Sequence, residues 1–80
     1  MSATQEDVQE LVYGAIESFG TSREIIDRDS TLESLDVDSL DLVELGQLVE
    51  EKYNLRLTSD DLSEVQTVGQ AVDLILEKLQ

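Results

Sequence analysis

The sequence predicts an all-α protein, a small three-to-four-helix bundle on one apolar core. Three stripes of apolar residues carry this reading: Val8, Leu11, Val12, Ala15, Ile16 and Phe19; Leu40, Val43, Leu45, Leu48, Val49 and Tyr53; and Val68, Ala71, Val72, Ile75 and Leu79. They recur at or close to helical spacing, whereas a half-buried strand would alternate every second residue. No segment offers a strand candidate, an internal repeat or a low-complexity run. Helices joined in this way pack as an up-and-down bundle.

The first helix is expected to start after Thr4, with Gln5, Glu6 and Asp7 in its first turn, where acidic groups suit the positive end of the helix dipole. Gly20 is placed to stop it, since glycine tolerates the left-handed conformation beyond a helix end. From Thr21 to Asp38 the periodicity breaks into single apolar residues, Ile25, Ile26, Leu32, Leu35 and Val37. This predicts a long ordered loop pinned to the core at those five positions.

The second helix opens at Asp38 and Ser39, both of which can cap it, and closes near Tyr53 and Asn54. Leu55 and Leu57 then return to the core. Thr58 or Ser59 caps a brief third helix through Asp60, Asp61 and Leu62, and Thr67 with Gln70 has the capping-box spacing that opens the last helix.

Eighty residues make one domain, spanning 1–80, with a marginal core. There is no apolar run of membrane-spanning length and no charged-then-apolar leader, which predicts a soluble, cytoplasmic protein, and a monomer is expected. Cysteine and histidine are both absent. The chain therefore has no thiol for a thioester, no soft or imidazole metal ligand, and no base to activate a serine. Neither a catalytic residue nor a metal site is expected.

The formal net charge of −14 argues against nucleic acid, whose binding depends on basic side chains neutralising phosphates. It favours basic protein partners. Asp36, Asp38, Asp41, Glu44, Glu50 and Glu51 gather around the helix that begins at Ser39, with no basic residue among them before Lys52. A calcium loop starting at Asp36 fails, because its third ligand position falls on Leu40 and its glycine position on Asp41.

The segment Asp38-Ser-Leu-Asp-Leu-Val-Glu-Leu45, followed by Glu50-Glu-Lys-Tyr53, resembles the recognition helix of acyl carrier proteins. The likeness of element order extends over nearly the whole chain. The resemblance implies that Ser39, flanked by Asp38 and Leu40, carries 4′-phosphopantetheine, transferred from coenzyme A by a phosphopantetheinyl transferase. It implies that Asp41, Glu44, Gln47, Glu50 and Glu51 meet basic patches on an acyltransferase, a ketosynthase and other enzymes of fatty-acid or polyketide synthesis. It further implies an acyl pocket bordered by Leu42, Gly46 and Ala71.

Three positions depart from the family pattern: Asp36 where glycine is usual, Thr58 for a proline, and Gln47 for a methionine. They point to a specialised carrier. A carrier of aminoacyl or aryl groups, and an unmodified acidic interaction module, are the alternatives.

Overall fold

The computed structural model describes residues 4–79. Helix α1 spans Gln5–Ser18, α2 Ser39–Tyr53, α3 Ser59–Ser63 and α4 Val68–Leu79. A 3₁₀ turn at Arg23–Ile25 interrupts the long loop, which periodicity alone did not foresee. Helix α1 packs against both α4 and α2. The end of α2 lies near the start of α1, where partial burial and the Asp7 carboxylate push the Tyr53 hydroxyl above its ordinary pKa.

Local chemistry sets the helix limits. Thr4 accepts the Asp7 N–H at 3.2 Å while Asp7 accepts the Thr4 N–H at 3.1 Å, a reciprocal cap. Past the C-cap Phe19, Gly20 takes φ 107°, and Asn54 closes α2 in the left-handed region at φ 54°. Thr58 and Asp61 repeat the reciprocal cap on α3, as Thr67 and Gln70 do on α4.

The core is centred on Ile16, Val8, Val12, Val49, Val68 and Val72, all fully enclosed. Burying such side chains contributes about 1.5–3 kcal/mol each against leaving them exposed. From the loop, Ile26, Leu32, Leu35 and Val37 are buried as expected, but Ile25 is not: it sits in the 3₁₀ turn 58% exposed. Tyr13 lies outside the α1 stripe yet is buried, with the Arg23 guanidinium 5.4 Å over its ring.

The largest correction concerns α2. Leu40, Val43 and Leu48, counted above with the core stripe, are solvent-exposed, Leu40 at 78% and Val43 at 50%. The buried face is Leu45, Gly46 and Val49, flanked by partly buried Leu42 and Tyr53. At 100° per residue Leu40 points about 140° away from Leu45, so α2 carries two apolar stripes and buries only one.

Candidate functional site

Ser39 is the first residue of α2, and the cap is Asp38. The Asp38 carboxylate accepts the Asp41 N–H at 3.0 Å, and Asp41 accepts the Asp38 N–H at 3.4 Å. With that duty taken, no hydrogen bond engages Ser39 Oγ among the described residues, and the side chain is exposed. The Leu42 N–H returns to the Asp38 carbonyl. The N–H groups of Ser39 and Leu40 remain open at the positive end of a 15-residue helix. A phosphodiester on Ser39 suits this position, because open helix N–H groups stabilise an anion.

The approach is shaped by Asp36, which holds φ 59°, a left-handed conformation that aspartate adopts with less difficulty than most side chains. The glycine conformation is thus kept without a glycine. Asp36, Val37 and Asp38 line an open groove of about 800 Å³ together with Leu42, Val65 and Gln66 among others. Among the described residues none of Asp36, Asp38, Asp41 and Glu44 joins an ion pair. Arg23, Arg28 and Lys78 are tied elsewhere, to Glu10 and Glu17, Asp73, and Asp61. The same described residues contain no group of three or more carboxylates arranged to hold a metal ion.

The residues expected to meet partners divide into two groups. Glu44, Gln47 and Glu51 are exposed on α2, beside the uncovered Leu40, Val43 and Leu48. Glu50 is half-buried, and its Oε1 accepts the Leu57 N–H at 3.0 Å, so it braces the chain after α2. Asp41 is half-buried and engaged in the cap. The apolar residues of the exposed face were overlooked because they satisfied helical periodicity and were assigned to the core.

Leu42 and Ala71 do border a common apolar cavity, together with Leu45, Leu62, Val65 and Ile75 among others. Its volume is about 10 Å³, near the least that a single water needs. Gly46 does not meet Ala71: a Cβ built there would lie 3.3 Å from Leu62 Cδ1, with only Leu62 within 4 Å. The glycine accommodates α3.

No described helix is long and apolar enough to cross a membrane. The family model described as a phosphopantetheine attachment site matches residues 10–75. An acyl carrier protein of Chlamydia trachomatis is 35% identical over 75 residues, covering 92% of this chain and 94% of its own length. A meromycolate extension acyl carrier protein of Mycolicibacterium smegmatis is 34% identical, covering all of this chain and 82% of its own. The crystal structure of an acyl carrier protein from Thermotoga maritima superposes with a TM-score of 0.75 at 28% identity, over 90% of this chain and 85% of that one. With the fold, the matched model and these relatives in agreement, the chain belongs to the acyl carrier protein family, the carriers that bear a covalent 4′-phosphopantetheine.

Proposed function

We propose that Ser39 is the attachment residue, and that the loaded carrier presents acyl groups to separate enzymes of fatty-acid or polyketide synthesis. The observation that carries this is the division of labour at the start of α2, where Asp38 caps the helix and leaves the Ser39 hydroxyl exposed and unengaged. In the transfer step Ser39 Oγ forms a bond to the pantetheine-side phosphorus of coenzyme A. The phosphoanhydride bond breaks, the adenosine bisphosphate leaves, and the hydroxyl proton passes to the transferase. The chain has no histidine or cysteine to do this by itself. The bound arm supplies the thiol on which acyl groups are carried as thioesters.

Docking is assigned to the exposed face of α2. Leu40, Val43 and Leu48 supply apolar area, while Glu44 and Glu51, with Gln47 between them, offer charge and hydrogen bonds to a basic partner. Opposite charges there chiefly speed encounter and exclude wrong partners. The transferase, acyltransferase and ketosynthase are the partner classes this reading implies. Leu42 and Ala71 are walls of the space an acyl chain would occupy, and α3 must shift for it to enter, since the cavity at rest is about 10 Å³.

Intact mass after incubation with a phosphopantetheinyl transferase and coenzyme A tests the assignment. A single added phosphopantetheine on the parent chain and none on Ser39→Ala is the expected result. Modification of Ser39→Ala overturns it.

A further inference from the structure

The loop that leads to Ser39 is fastened to the start of α4. Leu32 donates its N–H to the Gln66 carbonyl at 2.9 Å, Val68 donates to the Ser30 carbonyl at 3.0 Å, and Gly69 donates to the Arg28 carbonyl at 2.9 Å. Thr31 and Thr67 pair as an isolated antiparallel bridge. Val68 and Gly69 are first-turn residues of α4, whose N–H groups have no partner inside the helix. Loop carbonyls supply that partner. The Arg28 side chain then reaches Asp73 on α4, its Nη2 at 2.9 and 3.1 Å from the two carboxylate oxygens.

From this clip to Ser39 there is little slack. The Leu32 carbonyl accepts the Val37 N–H at 2.9 Å and the Leu35 N–H at 3.2 Å. Leu32 therefore holds Gln66, just before α4, on its N–H side and residue 37 on its carbonyl side. Both Leu32 and Val37 are buried, and only the cap residue Asp38 separates Val37 from Ser39.

The tightest point is Gly69. A Cβ there would lie 2.9 Å from the Arg28 carbonyl oxygen and 3.3 Å from Arg28 Cβ. Gly69 is not among the residues with positive φ, so the position requires glycine for close approach and not for backbone conformation.

We propose that the Arg28–Gly69 clip positions Ser39 for modification, with Gly69 acting through Leu32 and Val37. The inference rests on Ser39 being the attachment residue. A methyl group at Gly69 pushes the Arg28 carbonyl away, and the displacement passes along residues 30–32 to the backbone before the cap. The exposed face of α2 stays intact, so the transferase still docks but meets a misplaced hydroxyl.

The test is phosphopantetheine transfer from coenzyme A to the full chain carrying Gly69→Ala, with amide exchange followed at Leu32 and Val37. Misplacement of a reacting group by about 1 Å can cost up to about a hundredfold, so kcat is expected to fall about tenfold while KM holds. Both amides should exchange faster. Asp73→Ala, which frees Arg28 without adding volume, should act in the same direction more weakly, and serves if Gly69→Ala does not fold. Thr4→Ala weakens the fold by removing the reciprocal cap at the start of α1, outside the residues of the clip, and should keep the parent's kcat. Transfer to Gly69→Ala at the parent's kcat overturns the proposal, as does an equal kcat loss in Thr4→Ala. A parent chain that is not modified at Ser39 overturns the site assignment instead, and amide exchange still reads the clip: unchanged exchange at Leu32 and Val37 refutes it, faster exchange supports it.

Discussion

The Asp38 carboxylate accepts the Asp41 N–H at 3.0 Å, so the residue before Ser39 performs the capping that Ser39 could otherwise have performed. Capping and modification fall on neighbouring side chains and can be separated by substitution. Asp38→Ala should cost about 0.5–2 kcal/mol, the usual effect of losing a cap, and leave Ser39 present. Ser39→Ala should change stability little and abolish modification. Urea unfolding and intact mass read the two effects, and a large stability loss in Ser39→Ala contradicts the assignment of the cap.

Glu44 and Glu50 share a helix and a charge, but Glu44 is exposed while Glu50 is half-buried and accepts the Leu57 N–H. Glu44→Gln should slow association with a basic partner enzyme without loss of stability, and added salt should slow the parent in the same way, since exposed charges are screened over about 8 Å at physiological ionic strength. Glu50→Ala leaves the part-buried Leu57 N–H without its acceptor, which costs about 1–3 kcal/mol. Glu50→Gln retains an acceptor oxygen and should lose less. Stopped-flow binding and thermal unfolding of the three variants separate docking from bracing, and equal stability of Glu50→Ala and the parent would argue against bracing.

How much of this was legible in the sequence depended on how many stripes a helix carries. Helices α1 and α4 each have a dominant apolar stripe, and their caps follow short-range rules, so Thr4, Gly20, Thr67 and Gln70 were readable. Helix α2 has two stripes, and spacing alone could not say which faces water. Ser39 was marked by its motif, but the choice between it and Asp38 as the cap needed coordinates, because both side chains serve equally well. The clip between residues 28–32 and 66–69 left almost no trace, being made of backbone hydrogen bonds between distant segments. Its one sequence signal is Gly69, a glycine in the first turn of a helix. The bracing contact of Glu50 was not legible because its partner lies seven residues on, in the loop after α2.

Asp61 sets an acid limit on α3. Hydrogen bonds from the Thr58 backbone, the Lys78 side chain and the Thr58 side chain hold its carboxyl below the ordinary value. A carboxyl lowered in the folded state adds stability that is complete above the unfolded value, about 3.9, and is lost as pH falls through the folded value. Asp61→Asn should therefore melt below the parent at neutral pH, and the two curves should converge as the pH drops under about 4. Parallel curves down to pH 2 would show that another group carries the acid dependence.

Gly46 lies beneath Leu62, the one apolar side chain of α3, and this contact decides what a larger residue does there. In Gly46→Ala the added Cβ meets Leu62 Cδ1 at 3.3 Å. That atom is the far end of a flexible, half-buried side chain and has only a few tenths of an ångström to yield. Against this, alanine relieves the mid-helix glycine penalty of about 1 kcal/mol, so Gly46→Ala should be near neutral or slightly stabilising. Gly46→Leu cannot be absorbed in the same way. The adjoining cavity holds about 10 Å³, far less than an isobutyl group, and overpacking of this kind costs about 1–3 kcal/mol. Because Leu62 is also a wall of that cavity, the displaced α3 should expose a tethered medium-length acyl chain and speed hydrolysis of its thioester. Urea unfolding and hydrolysis rates of the two variants, measured together, test the arrangement: if Gly46→Leu is as stable as the parent, α3 does not press on Gly46 and the space beneath it is larger than the structure shows.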